Sequence, residues 1–466
     1  MGHALEFVQS DCIARYHREL LGEDTVLLSG ADENALKNVQ AAEKAGLPVR
    51  EFIDANAKLF QNLAEQLSVQ IDVFQRGSDQ KTHFPSSQQL WKLCEQKGDI
   101  YQKKYKGLYC VGCETFYTPD ELNAQGECFE HPGRKLEEVE EENYFFKLSA
   151  YQDKLIPLIE SDVLNIMPVK HKNEILGFLR QPLQDISISR SNARAKNWGV
   201  PVPSDDSQRM YVWFDALNIY QSGIGFGWDE KKYQETWPAD VHVIGKGIIR
   251  FHAVYWPAFL LSAGLPLPKS LHVHGYIVVN GQKMSKTLGN VIDPFEIVQK
   301  YGCDPVRYYF LKEIPAFGDG DFSEERFKNV YNADLANGLG NLISRVTKLA
   351  QTNEVILEAP SQDGGNRAVD LIKPHMEDHR FNIALETLWE CVTKLNHYID
   401  SQEPWKQDKD AASQTIKAVV EGTVELVGLR ELAHALKPFL PQTAEDMVKQ
   451  FGGDRVLKHN IYFKRT

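Results

Sequence analysis

The amino-acid sequence predicts an α/β protein in which a doubly wound parallel sheet is split by an inserted module and followed by an α-helical domain. Apolar residues recur every three or four positions from Ala4 to Leu21, which predicts a helix. A short apolar run, Thr25 to Leu28, and a second helical pattern, Asn34 to Ala45, follow. The order helix, strand, helix indicates a parallel sheet, because parallel strands are joined by crossovers that are usually helical.

The sheet is predicted to resume after a long interruption. Val241 to Ile244 predicts a buried strand, Ile249 to Ala263 a helix and Ser270 to Val279 another strand. The intervening stretch, Tyr101 to Ser207, contains the dense cysteine cluster and ends near the polar, proline-containing loop Gly199 to Asp206. We therefore interpret it as an inserted module.

The residues after Val291 show helical periodicity and no convincing strand until the last few positions. Asp293-Pro294 and Asp304-Pro305 each place a capping carboxylate before a helix-initiating proline, and Gly302 is expected to close the first of these two helices. Further helices are predicted at Asn332 to Gln351, His379 to Tyr398 and Ala411 to Ala435, and an extended segment at Asn460 to Lys464.

Five parts follow from these patterns. They are a first catalytic half (1–100), the inserted module (101–207), a second catalytic half (208–275), a loop and connecting fold (276–330) and a helical domain (331–466).

Composition excludes several classes of protein. Apolar residues make up 42% and charged residues 25% of the chain, as in ordinary globular proteins. The longest apolar stretch, Ala258 to Pro266, is far shorter than the roughly 20 residues of a membrane-spanning helix. Seven unevenly spread cysteines and no signal pattern favour a reducing cytoplasm. The net charge of -12 argues against non-specific attachment to nucleic acid but not against a local basic patch.

A basic loop after the last predicted strand is the strongest short motif. Lys283-Met284-Ser285-Lys286 lies between Gly281 and Gly289. Two lysines three positions apart on such a loop can neutralise the charge that develops as pyrophosphate leaves. The alternative is a solvated surface loop.

This tetrapeptide resembles the K-M-S-K signature of class I aminoacyl-tRNA synthetases, with Thr287 where the family usually has serine. Their second signature, His-x-Gly-His, is matched in part by Met1-Gly2-His3. The resemblance implies that Gly2 lets ATP approach the backbone and that His3 contacts the phosphates, with His3, Lys283 and Lys286 as the catalytic residues. The resemblance also implies that Ser285 contacts ATP.

The first histidine of that signature and the strand before it are absent from these residues. In doubly wound sheets that first strand is central, and its loss leaves backbone groups unpaired. We therefore expect residues 1–466 alone to make no aminoacyl-adenylate, and roughly a dozen upstream residues, enough for one strand and its turn, to restore activity.

Two further segments resemble the substrate pocket of the methionyl members of this family. They are Tyr211-Val212-Trp213-Phe214-Asp215-Ala216-Leu217 with Tyr220, and Gly245-Lys246-Gly247-Ile248-Ile249-Arg250-Phe251-His252. Aromatic walls suit a polarisable thioether. The resemblance implies a methionine pocket of Trp213, Ala216, Tyr220, Ile248 and His252, and ATP contacts from Gly245, Lys246 and Ile248.

A third segment, Gly30 to Lys37, resembles the family's G-T-D-E-H-G-x-K, and its Asp32 would hold the substrate ammonium. Asn34-Ala35 replaces His-Gly here, and Leu217 stands where many relatives have proline. These departures concern details of the pocket.

The inserted module carries the spacing of a zinc knuckle: Cys110, Cys113, Cys128 and His131, within residues 110–131. Two pairs of soft or imidazole ligands can close a tetrahedron around structural Zn²⁺. The location agrees with the methionyl enzymes, and the alternative is reduced cysteines that bind nothing.

Asn341 and Arg345 share a helix face, and Trp405 follows Pro404 at the end of a later helix. Stacking on an indole with hydrogen bonding by Asn and Arg suits recognition of bases in a single-stranded RNA loop. The same residue types bind the anticodon in methionyl enzymes, so the resemblance implies an anticodon site here.

The complete resemblance implies a class I Rossmann-type fold with an α-helical anticodon-binding bundle. It also implies that the substrates are L-methionine, ATP with Mg²⁺, and tRNA(Met). We expect a cytoplasmic monomer, because no dimerisation module follows Thr466. The rival interpretations are a class I enzyme for another amino acid, or an inactive fragment or tRNA-binding relative.

Overall fold

The computed structural model describes residues 1–112, 115–117, 122–128, 133, 135–279, 281–284, 290–359, 366–458 and 462–465. The chain forms two compact units. We call Leu28–Asn62 with Ile71–Val273 the sheet unit, and Met1–Leu27, Leu63–Gln70 and His274–Thr466 the helical unit. The five boundaries drawn from the sequence stay predictions.

The strands of the described residues are short, apart from two in the inserted module. They are β1 Leu28–Ala31, β2 Val73–Arg76, β3 Ile100–Cys110, β4 Thr115–Tyr117, β5 Glu137–Phe146, β6 Asn165–Met167, β7 Ile186–Ser187, β8 Ser189–Ser191, β9 Pro201–Val202, β10 Asp205–Met210, β11 Val241–Gly245, β12 Ser270–His274, β13 Ile277–Val279, β14 Gln282–Lys283 and β15 Gly320–Asp321.

The α-helices lie throughout the chain. They are α1 Gly2–Arg15, α2 Leu36–Ala45, α3 Val49–Gln66, α4 His83–Gln96, α5 Gln152–Glu160, α6 Val169–Leu179, α7 Asn192–Ala195, α8 Val212–Ala216, α9 Ile219–Ser222, α10 Glu230–Thr236, α11 Trp256–Ala263, α12 Pro294–Tyr301, α13 Cys303–Lys312, α14 Glu324–Val330, α15 Asn341–Thr352, α16 Arg367–Glu377, α17 Phe381–Gln402, α18 Lys409–Glu421, α19 Leu429–Ala435 and α20 Pro441–Phe451. Short 3₁₀ helices include Lys246–Ile248 and Pro404–Lys406, and π-helical turns include Tyr16–Leu20, Phe251–Tyr255 and Tyr331–Gly340.

The α/β architecture predicted from the sequence is confirmed, but its parallel sheet is small. In the sheet unit β1 pairs in parallel with β2, from Leu28 opposite Val73 to Ala31 opposite Arg76. A separate three-stranded sheet has the order β11-β12-β6, and β12 runs parallel to β6. The expectation that a further strand belongs with these two sheets stays a prediction.

Close packing explains one glycine of the sheet unit. A Cβ atom on Gly30 would stand 2.3 Å from the Gln75 carbonyl oxygen and 2.7 Å from Ile219 Cγ2. Real Cβ atoms do not approach backbone so closely, so only glycine lets β1 pass both β2 and α9. The same strand leads directly into Asp32.

The inserted module is built on a long antiparallel ribbon. β3 and β5 pair from Ile100 opposite Phe146 to Tyr109 opposite Glu137, within a sheet of order β4-β3-β5-β7. The core of the sheet unit is rich in fully buried aromatic side chains, among them Trp91, Phe146, Phe214, Trp256 and Phe259.

In the helical unit one of the two predicted helix caps is confirmed and the other is wrong. The Asp293 carboxylate accepts a hydrogen bond from the Phe295 N–H at 2.9 Å and so caps α12, which ends at Gly302 with φ 90°. α13 begins at Cys303, before Asp304-Pro305. Asp304 instead accepts from the Thr443 N–H at 2.6 Å, at the start of α20.

Several predicted elements differ from those observed. The first strand begins at Leu28 instead of Thr25, because its pairing with β2 sets its limits. The strand predicted from Ser270 to Val279 is two strands, β12 and β13. The helix predicted from Ala411 to Ala435 is two helices, α18 and α19, separated at Gly422 (φ 91°) and Gly428.

The predicted extended segment begins at Asn460, outside the described residues, and residues 462–464 form no strand. Among the residues that the structure describes, no helix is long and apolar enough to cross a membrane.

Candidate active site

A hydrogen-bonded chain in the sheet unit joins three of the predicted methionine-binding residues. The Tyr220 hydroxyl lies 2.8 Å from His252 Nε2, and His252 Nδ1 lies 3.0 Å from the Ile248 carbonyl oxygen. A carbonyl oxygen can only accept, so Nδ1 carries a proton, and in the neutral form of the ring Nε2 accepts. In that form the Tyr220 hydroxyl proton is directed at His252.

A stacked aromatic pair lies beside this chain. The Trp213 ring, on α8, stacks on Phe251 with a centroid distance of 3.8 Å and an interplanar angle of 7°. The same indole meets His252 edge to face at 6.5 Å. Trp213, Ala216 and Tyr220 are only partly buried, so each keeps surface that a ligand can cover. The structure thus brings together Trp213, Tyr220, Ile248 and His252, and their role in binding methionine stays a prediction.

The segment after β1 is tied to α8 through Asn34. The Asn34 side-chain amide donates to Asp215 Oδ2 at 2.7 Å and to the Gly77 carbonyl oxygen at 2.7 Å. Asp32, the predicted ammonium ligand, is partly buried, and its carbonyl oxygen accepts from the Asn38 side chain at 3.1 Å. Asn34, one of the departures from the family motif, thus links Asp32's segment to the helix that carries Trp213 and Ala216.

Two pocket residues were missed by sequence reasoning: Phe251, which stacks on Trp213, and His242 on β11. The His242 ring lies 3.9 Å from the Tyr220 ring at 85° and 6.3 Å from His252. It is 2% exposed, and neither ring nitrogen has a hydrogen-bond partner among the described residues. Burial, and then the nearby His252, lower the pKa of His242 well below its ordinary value, so this ring is neutral. The only signal in the sequence was a histidine inside an apolar strand.

The predicted nucleotide contacts are divided between the units. Gly2 and His3 form the exposed first turn of α1, in the helical unit. That turn has no side-chain cap hydrogen bond and no acidic residue, so the positive end of the helix dipole there would favour an anion. Gly245 ends β11, and Lys246 and Ile248 form the following 3₁₀ turn in the sheet unit.

The basic loop is described only at its beginning. β14 pairs with β13, placing Lys283 opposite Val278. Ser285 and Lys286 lie outside the described residues.

Two of the four predicted zinc ligands lie together. Cys110 ends β3, and its Sγ atom is 3.3 Å from that of Cys128. The two cysteines are 3% and 1% exposed. Cys113 and His131 lie outside the described residues, and within the described part no group of three or more candidate metal ligands was found.

Two of the three predicted anticodon residues are in contact. The Arg345 guanidinium carbon lies 5.8 Å from the centroid of the Trp405 ring, and Arg345 also pairs with Asp400 at 2.5 Å. Trp405 is 52% exposed. Asn341 is exposed one turn before Arg345 on α15. These residues form an exposed aromatic and cationic surface on the helical unit.

Family models match nearly the whole chain. Residues 1–347 match tRNA synthetases class I (M), and residues 366–466 match the anticodon-binding domain of tRNA ligase. These matches, with the α/β fold and the helical C-terminal part, define a class I aminoacyl-tRNA synthetase. Within that class the chain belongs to the methionine--tRNA ligase family.

The relatives support this assignment over almost the full length. The chain is 41% identical to the methionine--tRNA ligase of Brucella suis, covering 96% of this chain and 88% of that one. It is 39% identical to that of Thermotoga maritima, covering 97% and 72%. The Mycobacterium tuberculosis methionyl-tRNA synthetase in complex with methionyl-adenylate superposes with a TM-score of 0.90 at 34% identity, covering 100% and 96%.

Proposed function

We propose that this chain activates L-methionine with Mg-ATP, giving methionyl-adenylate and pyrophosphate, and transfers the methionyl group to the 3′ end of tRNA(Met). The curated relatives are named methionine--tRNA ligases, and one of the similar structures is a complex with methionyl-adenylate. The observation that carries the proposal is the Tyr220–His252–Ile248 chain beside the stacked Trp213 and Phe251 rings.

The pocket suits a thioether because of where its protons point. Since the Tyr220 proton goes to His252 Nε2 and the His252 proton goes to a carbonyl, neither group offers a donor to a ligand. A thioether sulfur is only a weak acceptor, so it does not compete for the hydrogen bonds of these two groups. The indole of Trp213 and the phenol ring of Tyr220 supply polarisable contacts, which sulfur favours.

Activation requires the methionine carboxylate to attack the α-phosphorus of ATP while pyrophosphate leaves. Asp32 would hold the substrate ammonium as a charge-assisted pair. His3, with the backbone N–H groups of the first turn of α1, would bind the phosphates, and Lys283 and Lys286 would neutralise the charge on the leaving group. Gly245 to Ile248 would hold the nucleotide. A ribose hydroxyl of the tRNA then attacks the activated carbonyl, so no covalent enzyme intermediate is needed.

Replacing Tyr220 by phenylalanine is expected to raise the KM for methionine by about tenfold in pyrophosphate exchange, while kcat and the KM for ATP stay within twofold. The change leaves the buried His252 Nε2 without its donor, which costs about 1–3 kcal/mol. It also frees the Tyr220 ring from its anchored position.

Tyr101→Phe is the matched control, because Tyr101 donates a hydrogen bond of the same length, 2.8 Å, to Asp185 in the inserted module. It should leave the KM for methionine unchanged. Equal KM values in the two variants would show that the Tyr220 hydroxyl does not shape the pocket. Exchange driven better by leucine, isoleucine, valine or cysteine would contradict methionine as the substrate.

The inserted module is proposed to hold one structural Zn²⁺ on Cys110, Cys113, Cys128 and His131. Zinc–sulfur bonds of about 2.3 Å in a tetrahedron bring two sulfurs to within about 3.8 Å of each other. The Cys110 and Cys128 sulfurs, 3.3 Å apart and buried, fit such a pair. With four protein ligands the ion would stabilise the fold and take no part in the reaction.

The purified full-length protein should therefore contain about one zinc per chain by metal analysis. Cys128→Ser should lose most of it, whereas Cys391→Ser, a buried cysteine of α17, should retain it. A zinc content near zero after expression in zinc-supplemented medium would contradict the site.

The surface of Asn341, Arg345 and Trp405 is proposed to bind the anticodon. A base can stack on the exposed face of Trp405, and Arg345 is held beside the ring by its ion pair with Asp400.

The monomeric state and the cytoplasmic location also stay predictions.

A further inference from the structure

Arg307 of α13 is a buried cation that joins three distant segments of the helical unit. Its side chain is 0% exposed and pairs with Asp11 of α1 at 2.7 Å. It also donates to the carbonyl oxygens of Leu67 at 3.0 Å, Pro438 at 2.7 Å and Phe439 at 3.0 Å. One guanidinium therefore contacts α1, the residues after α3 and the turn before α20.

The Asp11 carboxylate extends this network along α1. Its Oδ2 atom also accepts from Arg15 Nε at 2.8 Å, and its Oδ1 atom accepts from the Gln70 N–H at 2.8 Å. Arg15 in turn donates to the Ser68 carbonyl oxygen at 2.7 Å. Asp11 thus has directed partners on two segments outside α1, at Arg307 and Gln70, and Arg15 has one at Ser68.

Directed bonds add restraints on distance and angle to the packing of a helix. The buried apolar side chains of α1, such as Leu5, Val8 and Cys12, exclude water and pack against their neighbours. Hydrogen bonds at 2.7–3.0 Å weaken steeply with displacement, and removing one partner of a buried pair leaves an uncompensated charge. The Asp11–Arg307 pair therefore fixes the axial position of α1.

The position of α1 matters because its first turn carries His3. Asp11 follows His3 by eight residues, which is about 12 Å along the axis at 1.5 Å per residue. A helix transmits an axial shift over that distance without attenuation, and a misplacement of about 1 Å at a reacting group can cost about 10²-fold in rate.

We propose that Arg307 is a positioning residue for adenylate formation: through Asp11 it holds α1, and with it His3, at the place where the phosphates react. The proposal rests on the proposed function, in which His3 contacts the phosphates. Arg307 itself does not touch a substrate.

A merely structural role is the rival, and the same helix provides its control. Asp304 on α13 is also buried and caps α20 through the Thr443 and Gln442 N–H groups, at 2.6 Å and 3.4 Å. Asp304→Asn should weaken the packing of α13 on α20 without removing the Arg307–Asp11 pair. It should lower the thermal unfolding midpoint and leave kcat within twofold.

Arg307→Lys keeps the charge but loses the planar fork that reaches four acceptors. In the full-length protein we expect kcat for methionine-dependent pyrophosphate exchange to fall about tenfold or more, with the KM for methionine within twofold. Arg307→Met should lose more activity, and if it does not fold, the lysine variant carries the test.

A double-mutant cycle with His3→Ala separates positioning from stability. If Arg307 acts through His3, Arg307→Lys should lower kcat little further when His3 is already alanine. The proposal would be overturned if the two substitutions together lowered kcat by the product of their separate effects. It would also be overturned if Arg307→Lys alone kept the kcat of the parent. A natural full-length protein with no methionine-dependent exchange would overturn the proposed function itself and this inference with it.

Discussion

Replacing His3 by alanine is expected to lower kcat for methionine-dependent pyrophosphate exchange by about 10²–10³-fold, with little change in the KM for methionine. A donor aimed at charge that develops in the transition state contributes to the barrier and little to ground-state binding. His3 is exposed in the first turn of α1, which has no side-chain cap hydrogen bond. Steady-state exchange at saturating ATP and varied methionine measures both constants.

His17→Ala is the matched control for this experiment, since His17 lies in the π-helical turn that continues α1 and pairs at the surface with Glu23, at 2.7 Å. Its kcat should stay within twofold of the parent. A similar loss in both variants, or a loss from His3→Ala confined to the KM for methionine, would remove His3 from the catalytic residues.

Replacing Trp405 by alanine is expected to lower kcat/KM for tRNA charging by about 5- to 150-fold while methionine activation stays within twofold. Stacking of a base on an aromatic ring is worth about 1–3 kcal/mol. Trp405 is half exposed and contributes little to the core, so its loss should not unfold the helical unit. Both reactions must be measured on the same preparation.

Trp405→Phe preserves an aromatic face and should recover most of the charging activity. If alanine and phenylalanine lower charging equally, the ring does not stack on a base. If activation and charging fall together in Trp405→Ala, the residue is required for packing.

Local patterns predicted the elements whose limits are set locally. The helix from Ala4 to Leu21 corresponds to α1 and the π-helical turn after it, and the Asp293 cap and the Gly302 terminus are where the pattern placed them. These features depend on periodicity, capping chemistry and positive φ, all of which act within a few residues.

Features set by distant contacts could not be predicted in this way. Asp304 matches a capping pattern for its own helix, yet it caps α20, 139 positions later in the chain. The start of β1 depends on its parallel partner β2. In the pocket, the motif resemblance predicted Tyr220 and His252, but it could not show the hydrogen bond between them.

The burial of His242 also connects the pocket to the acid stability of the protein. In the unfolded chain this imidazole would take up a proton near pH 6.5, whereas in the folded protein its pKa lies well below that value. Below about pH 6.5 the unfolded state therefore binds more protons, so the free energy of unfolding decreases as the pH falls toward the folded-state pKa. His242, whose neutral ring packs against Tyr220, thus makes the sheet unit sensitive to protons. Acidification favours the unfolded form of this unit.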